Sequence, residues 1–240
     1  MWRKILIFLT SCAIIGLFIL QRDPILSNLH RVALVGTTLG VWLVTLLLVW
    51  KHKTRRWIVL AITIMLVTPF ALPGRVIQEQ ELRAEYVAHM KQLVGTRYVW
   101  GGESSRGIDC SGLPRKALRD ALLSCGLRHL DGGLLRMAVL QWCYDASAKA
   151  LGHGYRNYTV PLEPHGSIRQ MDYSGLMPGD LAVTTSGVHI LAYLGDEQWI
   201  QADPGIGVVA ILNGRNGNNN RWFSAPVTTH RWSVLRHDTH

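Results

Sequence analysis

Three stretches of this chain, residues 5–20, 32–50 and 57–74, contain no Lys, Arg, Asp, Glu or His. A segment of that length without a charge, rich in Leu, Ile and Val, is expected to cross a bilayer as a helix, the first and third being near the short end of the range. Trp2, Trp42, Trp50 and Trp57 fall in or beside these stretches, several of them at segment ends where interfacial aromatics belong. Acidic residues are almost missing from the first third: residues 1–73 carry 8 Lys or Arg and one acid, Asp23, giving +7. Residues 74–240 hold 17 basic and 15 acidic side chains, so only +2 of the formal +9 lies there. This distribution excludes the concentrated basic face of a phosphate-backbone binder, and no nucleic-acid partner is expected. Internal repeats and long low-complexity tracts are absent. His129, His153 and His165 follow no ligand spacing, so no metal site is expected.

The basic residues that are present orient the apolar segments. Lys51, Lys53, Arg55 and Arg56 cluster between the second and third, and Arg3 and Lys4 precede the first, whereas the connection from Arg22 to Arg31 has those two beside Asp23. The positive-inside rule therefore predicts a cytoplasmic N-terminus, a cytoplasmic 51–56 loop and three transmembrane helices that deliver residues 76–240 to the opposite side. A cleaved signal peptide is disfavoured because two further apolar spans follow. A lipobox reading of Leu9-Thr-Ser-Cys12 is disfavoured by the short apolar run before the cysteine.

Beyond residue 76 the pattern changes. Leu82, Tyr86, Met90 and Leu93 recur at helical spacing and predict a helix over 77–94, stopped by Gly95. Further helices are expected from Ser111 through Leu123 and near 133–151, then strands near 180–185, 188–194, 198–203, 207–212 and 229–236. Helices followed by strands indicate an α+β fold, and about 165 residues suffice for one such core. The polar run from Asn213 to Arg221 predicts an exposed loop between late strands.

The chemistry concentrates in Tyr98-Val-Trp-Gly-Gly and Gly107-Ile-Asp-Cys-Ser-Gly-Leu113. Glycines on both sides of Cys110 permit tight turns, Asp109 is suited to cap a helix, and Pro114 would sit in that helix's first turn. Cys110 is thus expected at a helix N-terminus, where unpaired amides and the helix dipole favour thiolate and can receive an oxyanion. In a strand over 188–194, His189 shares a face with Leu191 and Tyr193. A turn at Gly195-Asp196-Glu197 then brings the next strand alongside, with Trp199, Gln201 and Asp203 on one face. Gln201 is the preferred group to orient the imidazole, and Asp203 is the alternative, although Pro204 suggests that the strand is ending there.

These blocks, together with Met177-Pro-Gly-Asp-Leu181, His189-Ile-Leu-Ala-Tyr-Leu-Gly195 and Gln198-Trp-Ile-Gln-Ala202, resemble the NlpC-type cell-wall endopeptidases, a papain-like cysteine peptidase family, over about residues 78–237. The resemblance implies a papain-like α+β domain with helices packed on an antiparallel sheet, and catalytic Cys110, His189 and Gln201. Tyr98 is implied near the oxyanion site, with Ser111 and Asp203 as further supporting residues. It also implies cleavage of an amide bond in peptidoglycan stem peptides, without a cofactor, on the periplasmic or extracellular side of a bacterial cytoplasmic membrane. A thiol acyltransferase or amidase acting on a lipid or other non-wall substrate is the enzymatic alternative, and an inactive wall-binding or scaffolding domain is the non-enzymatic one. Two departures stand out. The 70 residues from Cys110 to Asp180 suggest an insertion around 130–177 forming one wall of the cleft, and Pro114 occupies a helix position. Cys125 and Cys143 are a candidate disulfide in an oxidising compartment, or else buried thiols on two helices.

Overall fold

The computed structural model describes residues 2–75, 78–216 and 219–236. Three apolar helices come first: α1 (Trp2–Leu20), α2 (Asn28–Val49) and α3 (Lys53–Ala71). Ser27 caps α2 by accepting from the His30 N–H, and Trp42 Nε1 donates to Thr63 Oγ1 at 2.9 Å, tying α2 to α3. Three membrane spans were expected from composition, and this is corrected. Among the described residues two helices, α2 and α3, are long and apolar enough to cross a membrane. The apolar part of α1, Lys4–Leu20, falls short. At 1.5 Å per residue it covers only about 25 Å of a hydrocarbon layer of about 30 Å.

The remaining chain forms an α+β unit. Helix α4 (Glu79–Gln92) matches its expected span and buries Leu82, Tyr86 and Met90. A small hairpin of β1 (Glu103–Ser104) and β2 (Gly107–Ile108) leads into α5 (Gly112–Arg128). Where one helix was expected near 133–151 there are two, α6 (Gly132–Cys143) and α7 (Ala148–Gly152). The break has a local cause: Ser147 caps α7 by accepting from the Ala150 N–H and so starts a new helix.

Six antiparallel strands follow: β3 (Thr159–Ser167), β4 (Leu181–Thr184), β5 (Ile190–Gly195), β6 (Gln198–Asp203), β7 (Val208–Asn213) and β8 (Pro226–Trp232), in the order β3-β8-β4-β5-β6-β7. Strand β3 was not anticipated. Pro161 and Pro164 hide it in the sequence, and its position at the sheet edge, with a register shift between Pro161 and His165, is where prolines are tolerated. The expected turn between β5 and β6 holds Asp196 and Glu197 at φ 50° and 60°, the backbone of a tight hairpin.

The sheet is covered on both faces. Ile190, Ala192, Ile200 and Ala202 join Leu82, Tyr86, Leu113, Leu118 and Leu122 in the larger core, while Leu191, Tyr193 and Trp199 join Ile168, Met171, Leu176 and Phe223 in a second. The region expected to carry an insertion thus supplies the edge strand and the cover of the second face. Asp180, fully buried, accepts from Arg231 Nε at 2.8 Å and from the Met177 N–H at 2.8 Å. This gives the Pro-Gly-Asp turn a structural role. All four cysteines are free thiols, and Cys143 is exposed rather than buried, so the Cys125–Cys143 pair is not formed.

Candidate active site

Cys110 stands where sequence logic places it, immediately before α5. Asp109 builds that helix start: its Oδ1 accepts from the Gly112 N–H at 2.6 Å and from Ser111 Oγ at 3.0 Å, and its Oδ2 accepts from the Gly101 N–H at 2.9 Å. The Asp109 N–H returns a bond to the Gly102 carbonyl at 3.0 Å. A Cβ on Gly112 would lie 2.3 Å from that same carbonyl oxygen, so only glycine lets the loop and the helix approach this closely. Pro114 lies within the first turn, where its missing N–H costs no intrahelical bond.

The Cys110 side chain is 6% exposed, with Sγ 3.9 Å from the Val188 carbonyl, and so rests against the backbone leading into β5. Burial, and then the Asp109 carboxylate, push the thiol up to about 12, while the backbone amides of Ile190, Ser111 and Cys110 itself pull it down. Those amides are the donors a developing anion at this point would meet. Tyr98 is half-buried. Burial, then the negative charge available to Cys110, Asp109 and Asp203, raises its hydroxyl to about 12, which places it in the field of all three.

His189 directly precedes β5 and is held by Thr184: its N–H donates to Thr184 Oγ1 at 3.1 Å, and its carbonyl accepts from the Thr184 N–H at 3.0 Å. The imidazole Nε2 donates to Gln201 Oε1 at 2.7 Å inside the protein. An amide oxygen can only accept, so Nε2 carries the proton and Nδ1 keeps its lone pair in the neutral ring. Desolvation lowers His189 to about 4 despite the opposing effect of the Gln201 bond. Continuing the Ala192–Ile200 pairing toward the site sets His189 across from Asp203, yet the ring bonds the diagonal neighbour, Gln201. Asp203 is engaged elsewhere. It accepts from the Gly205 N–H at 2.7 Å, from Trp222 Nε1 at 3.4 Å and from Asn220 Nδ2.

The structure therefore brings His189 and Gln201 into contact and seats Cys110 against the same strand start. Ser111 is joined to Asp109, and Asp203 to the β6–β7 turn and to the segment between β7 and β8. Trp222 was missed. Its ring stacks on His189 with centroids 4.1 Å apart and planes at 14°, covering one face of the imidazole. Nothing local marks it: it follows Arg221 and a polar, asparagine-rich stretch, in which residues 217 and 218 lie outside the described residues.

The NlpC/P60 family profile matches residues 95–228, more than half of the chain, and this chain belongs to the NlpC/P60 family. No curated protein matches it. Among solved structures it is similar to NlpC1 from Trichomonas vaginalis, at 19% identity over 62% of this chain and 43% of that one, with a TM-score of 0.41. The peptidoglycan hydrolase RipB from Mycobacterium tuberculosis aligns at 18% identity over 70% of this chain and 79% of its own, with a TM-score of 0.41. The NlpC/p60 domain of the peptidoglycan hydrolase SagA aligns at 23% identity over 62% and 97%, with a TM-score of 0.34. The chain spans less than half of the Trichomonas NlpC1 and NlpC2 chains.

Proposed function

We propose that this protein is a membrane-anchored cysteine hydrolase that cleaves an amide bond in the stem peptides of peptidoglycan. In this reading residues 76–240 are the hydrolase domain and residues 1–75 the anchor. The observation that carries the chemistry is the buried 2.7 Å bond from His189 Nε2 to Gln201 Oε1, because it leaves Nδ1 as a base on a ring that cannot turn. Cys110 attacks the substrate carbonyl, and the imidazole takes the thiol proton and later gives it to the leaving amine. The amides of Cys110 and its neighbours receive the oxyanion. Burial pushes the thiol up and the imidazole down, so both favour their neutral forms before substrate binds. Tyr98 and Ser111 back the nucleophile, and Asp203 braces the loop that carries Trp222. The mechanism needs no cofactor.

The anchoring is supported by two contacts at one end of the helices. The Glu103 N–H donates to the Pro24 carbonyl at 2.9 Å, and Arg136 Nη1 donates to the Phe70 and Leu72 carbonyls at 2.8 and 2.7 Å. Both lie away from the basic 51–56 turn. A cytoplasmic turn between α2 and α3 puts the domain outside the cytoplasm, with α1 packed along α2. The test is incubation of the full chain, in detergent or nanodiscs, with purified wall fragments and identification of new termini by mass spectrometry. Release of a stem-peptide fragment that disappears in Cys110→Ala supports the reading, and no new terminus from wild type overturns it.

A further inference from the structure

Glu103 is 4% exposed and accepts from three guanidinium groups. Arg31 Nη2 reaches its Oε2 at 3.1 Å, Arg115 Nη2 reaches Oε2 and Oε1 at 2.9 and 3.0 Å, and Arg119 Nη1 reaches Oε1 at 2.6 Å. All three arginines are buried. Arg115 and Arg119 stand one turn apart on α5, the helix that Cys110 begins, while Arg31 is on the first turn of α2, 72 residues before Glu103. Arg115 also pairs with Asp145, which lies 3.9 Å from Arg31 Nη1. A carboxylate in such a position cannot be solvated by water, so its place is set by the fork geometry of the groups around it.

The backbone repeats the connection. Ile25 forms an antiparallel bridge with Gly102, Arg106 Nη1 donates to the Gln21 carbonyl at 2.7 Å, and a Cβ on Gly107 would meet Pro24 Cβ at 3.0 Å. Gly101 and Gly102, just before Glu103, are the residues that hold Asp109 by its carboxylate and its N–H. An uninterrupted path of bonds thus runs from Arg31 through Glu103 and the Gly101–Gly102 turn to Asp109 and the cysteine after it.

We propose that Arg31 is a positioning residue for the Cys110 nucleophile, acting through Glu103, so that the first turn of α2 is a working part of the hydrolase and not only its tether. The proposal deepens the reading of Cys110 as nucleophile and rests on it. Arg31 clamps the carboxylate from the helix side while Arg115 and Arg119 clamp it from α5, and the loop between them is held at one distance from the helix start. Loss of the outer clamp lets the loop drift, and the amides around Sγ lose their aim.

The test uses the full chain in nanodiscs, comparing Arg31→Met and Arg31→Lys with wild type. Hydrolysis of wall fragments gives kcat and KM, and the iodoacetamide alkylation rate of Cys110, read on its own peptide by mass spectrometry, gives thiol reactivity in the folded protein. Arg31→Met is expected to lower kcat by roughly tenfold or more with KM within about twofold. It should also slow Cys110 alkylation by about fivefold at fixed pH. Arg31→Lys, which keeps the charge but not the fork, should recover part of both losses. An unchanged or faster alkylation rate in folded Arg31→Met overturns the proposal. So does failure of both variants to fold, which makes Arg31 a residue of stability alone. If wild type releases no wall fragment the substrate reading fails, while the alkylation rates still decide whether Arg31 positions the thiol.

Discussion

The helices of the first 71 residues and the domain that follows place their apolar side chains in opposite ways. Phe8, Leu39, Ile58 and Met65 are exposed on α1, α2 and α3, the one buried residue of α2 is the cation Arg31, and α3 buries none among its described residues. In the domain the arrangement reverses: α5 buries Leu113, Leu118 and Leu122, and β4 and β5 bury nearly their whole length. The first region presents apolar surface as a bilayer would require, the second removes it as water requires, and the two meet through polar groups at the helix ends. Helix α2 is thus tied to α3 through Trp42 and to the domain through the one charge it buries, Arg31.

The largest expected effect sharpens the domain's half of this contrast. Cys110→Ala removes the attacking sulfur but little buried volume, so hydrolysis of wall fragments should vanish while the melting curve stays near that of wild type. Retained turnover would break the mechanism. The membrane half is tested as sharply by reporter fusions, with one after His240 expected to be active outside the cytoplasm and one within 51–56 inside. The opposite pattern would break the contrast as drawn.

A smaller effect separates the two polar residues of β6. Gln201→Ala should lower kcat by roughly a hundredfold or more with little change in KM. Gln201→His should keep substantial activity, since a ring nitrogen accepts the same bond. Asp203→Ala should lower kcat less and instead cost about 1–3 kcal/mol of stability by releasing buried donors. The reverse ranking would make the carboxylate the third member.

The smallest effect is on pH-dependent stability. His189 takes up a proton near 6.5 when unfolded and near 4 when folded, so the unfolded chain binds more protons between those values. Stability should therefore fall as pH drops from about 6.5 toward about 4. The slope over that window should shrink in His189→Phe, as read by thermal melting at successive pH values. An identical slope in both would show that the imidazole is not held neutral by burial.

Much of the domain was legible because its signals are local. Alternation along β5 and β6 put His189, Gln201 and Asp203 on one face, and the Asp109–Cys110–Ser111 turn announced the helix behind it. What failed did so for identifiable reasons. The prolines of β3 masked an edge strand, the cap at Ser147 divided a helix, and α1 is as apolar as a span but too short. The choice between Gln201 and Asp203 could not be read from strand pattern, since both lie on the histidine's face. In the structure the imidazole bonds Gln201, while Asp203 is occupied by Asn220 and Trp222 from a distant segment.

By itself the sequence determined what periodicity and short spacing encode: apolar helices oriented by their basic turn, a cysteine at a helix start, a histidine on a strand, and an α+β domain. Only the tertiary structure decided which partners these residues keep. The stacking of Trp222 on His189 and the gathering of Arg31, Arg115 and Arg119 on Glu103 join residues 12 to 72 positions apart. Such contacts depend on burial and direction, which chain proximity does not carry, and a buried charge is stable only where the complete fold brings its counter-charges to it.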